Sequence, residues 1–144
     1  MEIKQNEIIE FMRSNGIKPS YQRIKIYEYL VKNRNHPTTE IIYHNLIKKI
    51  PTFSRTTVYN TMELFIKRGI VSMISIDEKE ARFDADTSVH AHFMCTICKN
   101  IYDIPVKSGE VNISGLKGFK VSENHINFKG ICKSCSKHNK SEIN

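Results

Sequence analysis

The sequence lacks a long apolar run, a low-complexity linker and an internal repeat. A membrane-spanning helix needs about 18 consecutive apolar residues, and no stretch of the chain approaches that length. The N-terminal segment MEIKQNEIIEFMRSNG has no uninterrupted apolar stretch of the kind that a secretory signal requires. These absences predict a soluble, cytoplasmic protein without a membrane partner.

Acidic residues are few compared with basic ones. The 144 residues include 22 Lys and Arg but only 15 Asp and Glu, which gives a formal net charge of +7. Residues 1–76 hold 12 basic and 6 acidic residues, so most of the excess lies in the first half of the chain. A basic excess of this kind indicates a polyanionic partner such as DNA.

Cysteine is scarce, but its spacing is informative. The four cysteines form two pairs, Cys95-x-x-Cys98 and Cys132-x-x-Cys135. Disulfides are not expected in a reducing cytoplasm. Four thiolates can instead surround one Zn²⁺ in a closed structural site that stabilises a small domain. The alternatives are a redox dithiol or four unpaired thiols.

The chain changes character near residue 84. Residues 1–84 read as helices followed by one hairpin, whereas residues 85–144 carry all four cysteines and read as short strands. We therefore predict two domains, 1–84 and 85–144. A strand or two should lie between the cysteine pairs, with Phe119–Phe128 as a candidate, and the tail from Ser136 to Asn144 is expected to be frayed.

Helical periodicity and capping residues predict four helices in the first domain. They are Ile3–Ser14, one with Ser20 as its N-cap, one that opens near Thr38 or Thr39 and closes at Pro51, and one that begins at Ser54 and ends before Gly69. A run from Ile70 to Ile76, a polar turn at residues 77–80 and the segment Ala81–Asp84 then predict a β-hairpin. This order is that of a winged helix-turn-helix.

The fourth helix carries side chains that suit the major groove of DNA. One sector holds polar residues that can contact bases: Arg55, Thr56, Tyr59 and Asn60. Arginine can pair with guanine and asparagine with adenine, while Thr and Tyr can contact thymine methyls or phosphates. Lys67, Arg68 and Lys79 are suited to phosphates. The alternative is a solvated polar face on an ordinary helix.

A second, more open metal site is predicted around His90-x-His92. Residues two apart in a strand point the same way, so both imidazoles can reach one ion. Asp84, Asp103 and His36 add two carboxylates and a third nitrogen. This donor set suits Fe²⁺, Mn²⁺ or Co²⁺, and an ion bound by all five residues would fix the angle between the two halves. Each residue alone is equally well explained as a surface carboxylate or a partly buried histidine.

Two other classes of function are compatible with these residues. Two histidines and a carboxylate also form the iron site of non-haem oxygenases, but the sequence shows no co-substrate pocket signature. A zinc-ribbon interaction module would show no salt-dependent duplex binding, whereas DNA-binding proteins lose affinity steeply with salt. From the residues alone these alternatives stay open, although the missing pocket signature counts against an enzyme.

Several motifs, taken in order along the chain, resemble those of the ferric uptake regulator (Fur) family of metal-dependent bacterial repressors. The similarity covers nearly the whole chain. The matching segments are Gln22-Arg23, His36-Pro37-Thr38, Ser54-Arg55-Thr56-Thr57-Val58-Tyr59-Asn60, Gly69-Ile70-Val71, Arg82-Phe83-Asp84, His90-Ala91-His92-Phe93-x-Cys95-x-x-Cys98 and Cys132-x-x-Cys135.

The resemblance implies an α+β homodimer. Each chain would have an N-terminal winged helix-turn-helix DNA-binding domain and a small C-terminal α/β dimerisation domain with the four-cysteine zinc site. A regulatory Fe²⁺ or Mn²⁺ would sit between the domains, on His36, Asp84, His90, His92 and Asp103. The metal-bound dimer would then bind a double-stranded, A/T-rich operator with two-fold symmetry and repress transcription.

The carboxylate positions of the regulatory set are both aspartate, at 84 and 103, and Asn60 follows Tyr59. This pattern is similar to the peroxide-responsive repressor (PerR) branch, whereas the iron-sensing branch tends to have glutamate. For the PerR branch the resemblance implies peroxide sensing through iron-catalysed oxidation of His36 or His90. The alternative is an iron-responsive repressor of iron uptake genes without histidine oxidation. The sequence assigns no role to His44, His125 and His138.

Overall fold

The computed structural model describes residues 3–107 and 109–142, and the chain divides into two compact units, Met1–Thr87 and Ser88–Asn144. The first unit contains four helices followed by a two-stranded antiparallel hairpin, the order of the predicted winged helix-turn-helix. Its elements are α1 (Gln5–Ser14), α2 (Tyr21–Asn33), α3 (Thr39–Ile47), α4 (Arg55–Lys67), β1 (Ser72–Ile74) and β2 (Arg82–Asp84).

Hydroxyl side chains set the starts of three of these helices. Ser20, Thr38 and Ser54 each accept a hydrogen bond from a backbone N–H in the first turn of the helix that follows. Such a bond satisfies one of the N–H groups that the first turn of a helix leaves without an intrahelical partner. The predicted starts of α2, α3 and α4 are therefore confirmed, while α1 begins at Gln5, two residues later than predicted.

The core of the first unit lies between the helices. Each helix contributes side chains that are almost completely buried, and Phe65 of α4 meets the ring of Tyr27 of α2 edge-on, with centroids 5.9 Å apart. On α4, three apolar residues at helical spacing face this core and are almost completely buried: Val58, Met62 and Phe65. The polar sector of α4 is consequently left facing outward.

The hairpin is tied to the loop between α2 and α3. The N–H of Phe83 donates to the carbonyl of Pro37 at 3.1 Å, and Nη1 of Arg82 donates to the carbonyl of His36 at 3.2 Å. His36 itself has a φ of 49°, a left-handed conformation that is unusual for a residue with a side chain. The contacts from the hairpin hold this backbone in place.

The second unit is built on a three-stranded sheet with the order β4-β3-β5. The strands are β3 (His90–Cys95), β4 (Ile101–Pro105) and β5 (Asn127–Gly130), and they are accompanied by a 3₁₀ turn (Ser114–Leu116) and by α5 (Lys133–Glu142). β4 runs antiparallel to β3, whereas β5 runs parallel to it. As predicted, strands lie between the two cysteine pairs.

Two details of the second unit differ from expectation. The strand expected over Phe119–Phe128 begins only at Asn127, because its pairing partner is the short segment His92–Cys95 of β3. The tail expected to be frayed from Ser136 instead forms part of α5, while residues 143 and 144 lie outside the described residues. In the described part of the chain, no helix combines the length and apolar character needed to cross a bilayer.

Candidate metal centres

The four cysteines of the second unit converge at one end of its sheet. Cys95 ends β3, Cys98 lies in the turn that follows, and Cys132 and Cys135 lie between β5 and the first turn of α5. The parallel pairing of β3 with β5 places Gly130 beside Cys95, which brings the second cysteine pair to the first. All four sulfurs lie within 4.8 Å of one another.

The spacing of the sulfurs fits a tetrahedral zinc ion. Four sulfurs that each lie about 2.3 Å from Zn²⁺ are about 3.8 Å apart. The Sγ atoms of Cys98 and Cys132 are 3.8 Å apart. No disulfide links any of the four cysteines, so all the thiols are available as ligands.

Backbone N–H groups prepare this cluster for the thiolate form. The pKa of Cys95 is lowered to about 6, first by the N–H of Cys132 and then, against the opposing effect of burial, by those of Cys98 and Ile97. The N–H of Cys132 lies 3.4 Å from the Cys95 sulfur. In contrast, hydrogen bonding to Cys132 and burial raise the pKa of Cys135 to about 12. Binding of a cation to all four thiolates would therefore displace a proton from Cys135.

Sequence reasoning missed one participant, Tyr102 of β4. After the N–H of Cys135, the Tyr102 hydroxyl is the next group that lowers the pKa of Cys132, to which it donates a hydrogen bond. Hydrogen bonds to ligands orient them and adjust their basicity. The position of Tyr102 in the sequence was the available signal. Tyr102 lies near the start of β4, beside the end of β3 that carries the first cysteine pair.

In the second unit, β3 and β4 also bring together His90, His92 and Asp103. The register places Asp103 directly opposite His92, and His90 shares the same face of β3. Oδ1 of Asp103 lies 3.3 Å from Nε2 of His90 and 3.4 Å from Nε2 of His92. The other ring nitrogen of His90 lies 2.7 Å from the carbonyl of Ser88, which fixes the orientation of that ring. We refer to these three residues as the strand half-site.

The first unit holds the other two predicted ligands next to each other. Nε2 of His36 lies 3.5 Å from Oδ2 of Asp84, and the two side chains are only 4% and 6% exposed. The second oxygen of Asp84 accepts the N–H of Asp86 at 2.8 Å, which leaves Oδ2 directed at His36. We refer to His36 and Asp84 as the helical half-site, after the mainly helical unit that holds them.

The donor types of the two half-sites fit a hard divalent ion. They offer imidazole nitrogens and carboxylate oxygens without any sulfur, a set that suits Mn²⁺ or Fe²⁺ better than it suits soft, thiolate-seeking ions. The cysteine cluster is chemically different. The chain therefore carries two classes of metal-binding group that select for different ions.

The predicted DNA-reading residues are exposed on the N-terminal part of α4: Arg55, Thr56, Tyr59 and Asn60. Lys67, Arg68 and Lys79 are exposed as well. Arg55 has contacts that the sequence did not reveal. Its Nε donates to Oε1 of Glu40 on α3 at 2.8 Å, and its guanidinium lies 4.5 Å from the ring centre of Tyr43.

Comparison with known proteins identifies the family. A model of the ferric uptake regulator family matches residues 14–129, which is most of the chain. The chain belongs to the ferric uptake regulator family. Among curated Fur-family relatives, the peroxide operon regulator of Bacillus subtilis (strain 168) is 36% identical over 134 residues, covering 91% of this chain and 92% of that protein.

Solved Fur-family structures share the fold. The ferric uptake regulator of Helicobacter pylori matches with a TM-score of 0.74 at 22% identity, covering 94% of this chain and 95% of that one. PerR from Streptococcus pyogenes, whose structure concerns peroxide sensing and gene regulation, matches with a TM-score of 0.52 at 27% identity, covering 91% and 92%. The predicted α+β fold class is confirmed, and the chain is a metal-dependent repressor of the Fur family, a family of transcriptional regulators and not of enzymes.

Proposed function

We propose that the protein is a peroxide-responsive repressor that binds its operator when a regulatory Fe²⁺ or Mn²⁺ is held by His36, Asp84, His90, His92 and Asp103. The likeness to the peroxide operon regulator of Bacillus subtilis, over nine-tenths of both chains, carries this proposal. The aspartates at 84 and 103 support it, because this pattern resembles the peroxide-responsive branch of the family.

The two half-sites give a physical reason for the metal dependence. The helical half-site supplies two ligands and the strand half-site supplies three, so neither offers the full donor set that Fe²⁺ or Mn²⁺ prefers. We propose that one ion takes both half-sites. Its binding would then favour one arrangement of the two units, by as much as its affinity for that arrangement exceeds its affinity for the others.

Oxidation of a ligand would reverse this coupling. An Fe²⁺ ion held by these residues would activate hydrogen peroxide beside its ligands, and the two electrons that reduce the peroxide would come, in the net reaction, from an imidazole ring. In the net reaction, the ring of His36 or His90 exchanges a C–H bond for a C–O bond, and the second peroxide oxygen leaves as water. The oxidised ring is a poorer ligand, so the two half-sites part and the operator is released.

Two features support a dimer that binds DNA. Residues 1–84 would bind the operator through the exposed basic and polar side chains of α4. Residues 85–144 would form the homodimer, since many large apolar side chains of this half are exposed, among them Phe119 at 70% and Phe128 at 52%. Exposed apolar surface of this kind marks an interface. A repressor that binds operators on the chromosome would act in the cytoplasm.

Mass spectrometry of the iron-loaded protein after brief treatment with hydrogen peroxide tests this proposal. We expect the mass of one additional oxygen atom on the peptide that carries His36 or on the one that carries His90. The manganese-loaded protein, treated in the same way, should stay unmodified. His44 and His125 are internal controls, because neither belongs to a half-site.

The same experiment separates the two branches of the family. Iron-loaded protein that binds its operator but gains no oxygen at either histidine would be an iron-responsive repressor of iron uptake genes. Oxidation spread equally over His44 and His125 would show non-specific damage and would also contradict the proposal.

A further inference from the structure

A three-residue cluster on the surface of the first unit surrounds Arg55, the first residue of α4. Oε1 of Glu40 accepts the Nε–H of Arg55 at 2.8 Å, and the guanidinium lies over the ring of Tyr43 at 4.5 Å. The other carboxylate oxygen of Glu40 lies 3.2 Å from Nε2 of His44. Glu40, Tyr43 and His44 all belong to α3, so one helix holds an arginine of the next.

The contacts restrict Arg55 without occupying its outer edge. An arginine has five N–H donors, and Glu40 takes only the one on Nε. Within the described part of the chain, the structure gives Nη1 and Nη2 of Arg55 no hydrogen-bond partner. The side chain is 61% exposed, so the edge formed by these two terminal amino groups is open to solvent.

The cluster contributes little to folding. Exposed ion pairs stabilise proteins weakly, and Glu40 and Arg55 are 48% and 61% exposed. Its effect on recognition is larger, because a free arginine loses conformational freedom when it binds a partner. Tyr43 packs against the core of the first unit and is therefore a firm platform for the guanidinium. An arginine already held between Tyr43 and Glu40 loses less freedom on binding.

We propose that Glu40 is a positioning residue for DNA recognition, which holds Arg55 so that its two terminal amino groups meet a pair of hydrogen-bond acceptors on DNA. Guanine, through O6 and N7, and a backbone phosphate both present such a pair. Arg55 is the residue that touches DNA, and Glu40 acts through it. This inference rests on the proposed DNA-binding function and deepens it.

The charge of Glu40 allows an electrostatic effect and a positioning effect to be distinguished, because they change DNA affinity in opposite directions. A carboxylate near DNA repels phosphates, so Glu40→Gln should tighten binding if electrostatics alone mattered. If Glu40 positions Arg55, Glu40→Gln instead weakens binding about three- to tenfold, in line with the cost of ordering one long side chain. The matched control is Glu28→Gln on α2, which removes the same charge and also breaks a surface ion pair, with Lys25.

Fluorescence anisotropy with manganese-loaded, full-length protein provides the measurement. One duplex is selected by the wild-type protein from a random-sequence pool, and the second is a scrambled duplex of the same length. We expect Glu28→Gln to bind as tightly as the wild type or more tightly, and all variants to keep the wild-type melting temperature.

Arg55→Gln and the double variant Glu40→Gln/Arg55→Gln then show whether Glu40 acts through Arg55. We expect Glu40→Gln to cause no further loss once Arg55 is absent, since the two residues form one unit. Glu40→Gln should likewise cause no further loss when it is added to Arg55→Lys, because lysine keeps the positive charge but lacks the pair of terminal amino groups. The affinity lost on Arg55→Gln also shows what Arg55 contacts. A loss confined to the selected duplex identifies guanine, whereas an equal loss on both duplexes, with a salt slope reduced by about 1, identifies phosphate.

Two results would overturn the inference while leaving the repressor function intact. The first is a Glu40→Gln variant that binds as tightly as the wild type or more tightly. The second is a Glu40→Gln effect that persists in full without Arg55. A wild-type protein that selects no duplex from the random-sequence pool would overturn both the inference and the proposed function.

Discussion

Arg82 is a residue whose contacts reach a proposed metal ligand without forming part of the site. Its Nη1 donates to the carbonyl of His36, and its Nε donates to Oδ2 of Asp77 at 3.2 Å. The N–H of Lys79 and, after it, Arg82 hold the pKa of Asp77 below its usual value of 3.8, although partial burial opposes them. Arg82, Asp77 and the N–H of Lys79 together hold the left-handed backbone of His36 in place.

The substitution Arg82→Met tests this bracing. We expect it to weaken Mn²⁺ binding about tenfold, a magnitude typical of residues that orient metal ligands. The free energy of unfolding should fall by roughly 1–3 kcal/mol, because the carboxylate of Asp77 loses its charged partner in a site where both side chains are largely buried. Calorimetric titration with Mn²⁺ and thermal denaturation measure the two effects.

Lys79→Met is the matched control for this prediction. It removes one positive charge from the same hairpin, but the Lys79 side chain is exposed and contributes only its backbone N–H to Asp77. We expect its Mn²⁺ affinity to equal that of the wild type. Equal affinities for Arg82→Met and the wild type would show that the hairpin does not position His36.

At this scale the sequence predicted residue types well and their partners poorly. His90-x-His92 and the cysteine pairs were recognisable because local spacing places such ligands side by side. The contact between Glu40 and Arg55 joins residues 15 positions apart on two helices, so it depends on how those helices pack. His44, to which the sequence assigned no role, contacts the same carboxylate from one turn further along α3.

Among the elements, the three strands of the second unit have little apolar core to hold them together. The buried hydrophobic side chains described in that unit are few, and two of them are cysteines: Ala91, Met94, Cys95 and Cys132. A zinc ion on the four thiolates would join the end of β3 to the start of α5. Structural zinc contributes on the order of 10 kcal/mol to small domains of this type.

Removal of zinc should therefore unfold the second unit selectively. We expect a strong chelator to abolish the strand signal in circular dichroism while the four helices of the first unit persist. Lower pH should make the zinc easier to remove, because protons compete for the thiolates and the pKa of Cys135 is raised to about 12. Chelator competition at two pH values measures this dependence, and loss of zinc with full retention of the sheet would contradict the structural role.

Helices were easier to predict than strands in this chain. The starts of α2, α3 and α4 depend on a hydroxyl residue directly before an amphipathic segment, which is local information. β5 depends on a parallel partner more than 30 residues away, and its position follows from the pairing of Phe128 with Phe93. Hydrophobic pattern alone therefore placed that strand too early in the sequence.

For the whole molecule, the proposed function depends on two compact units that each carry their own donor groups. The helical half-site belongs to Met1–Thr87 and the strand half-site to Ser88–Asn144. Under the proposed function, an ion that takes ligands from both units would couple metal binding to the arrangement of the DNA-binding surface. The sequence singled out the proposed donors of both half-sites, but how they would combine around an ion depends on the geometry of the metal-bound protein.

The most direct test compares operator binding by one zinc-loaded preparation before and after Mn²⁺ is added, measured by fluorescence anisotropy at fixed salt. We expect Mn²⁺ to tighten binding at least about tenfold, equivalent to roughly 1.4 kcal/mol of coupling between the two sites. The Asp84→Asn/Asp103→Asn variant, which weakens both half-sites, should show no such gain. Equal affinity with and without Mn²⁺, in protein that demonstrably binds the ion, would contradict the central claim.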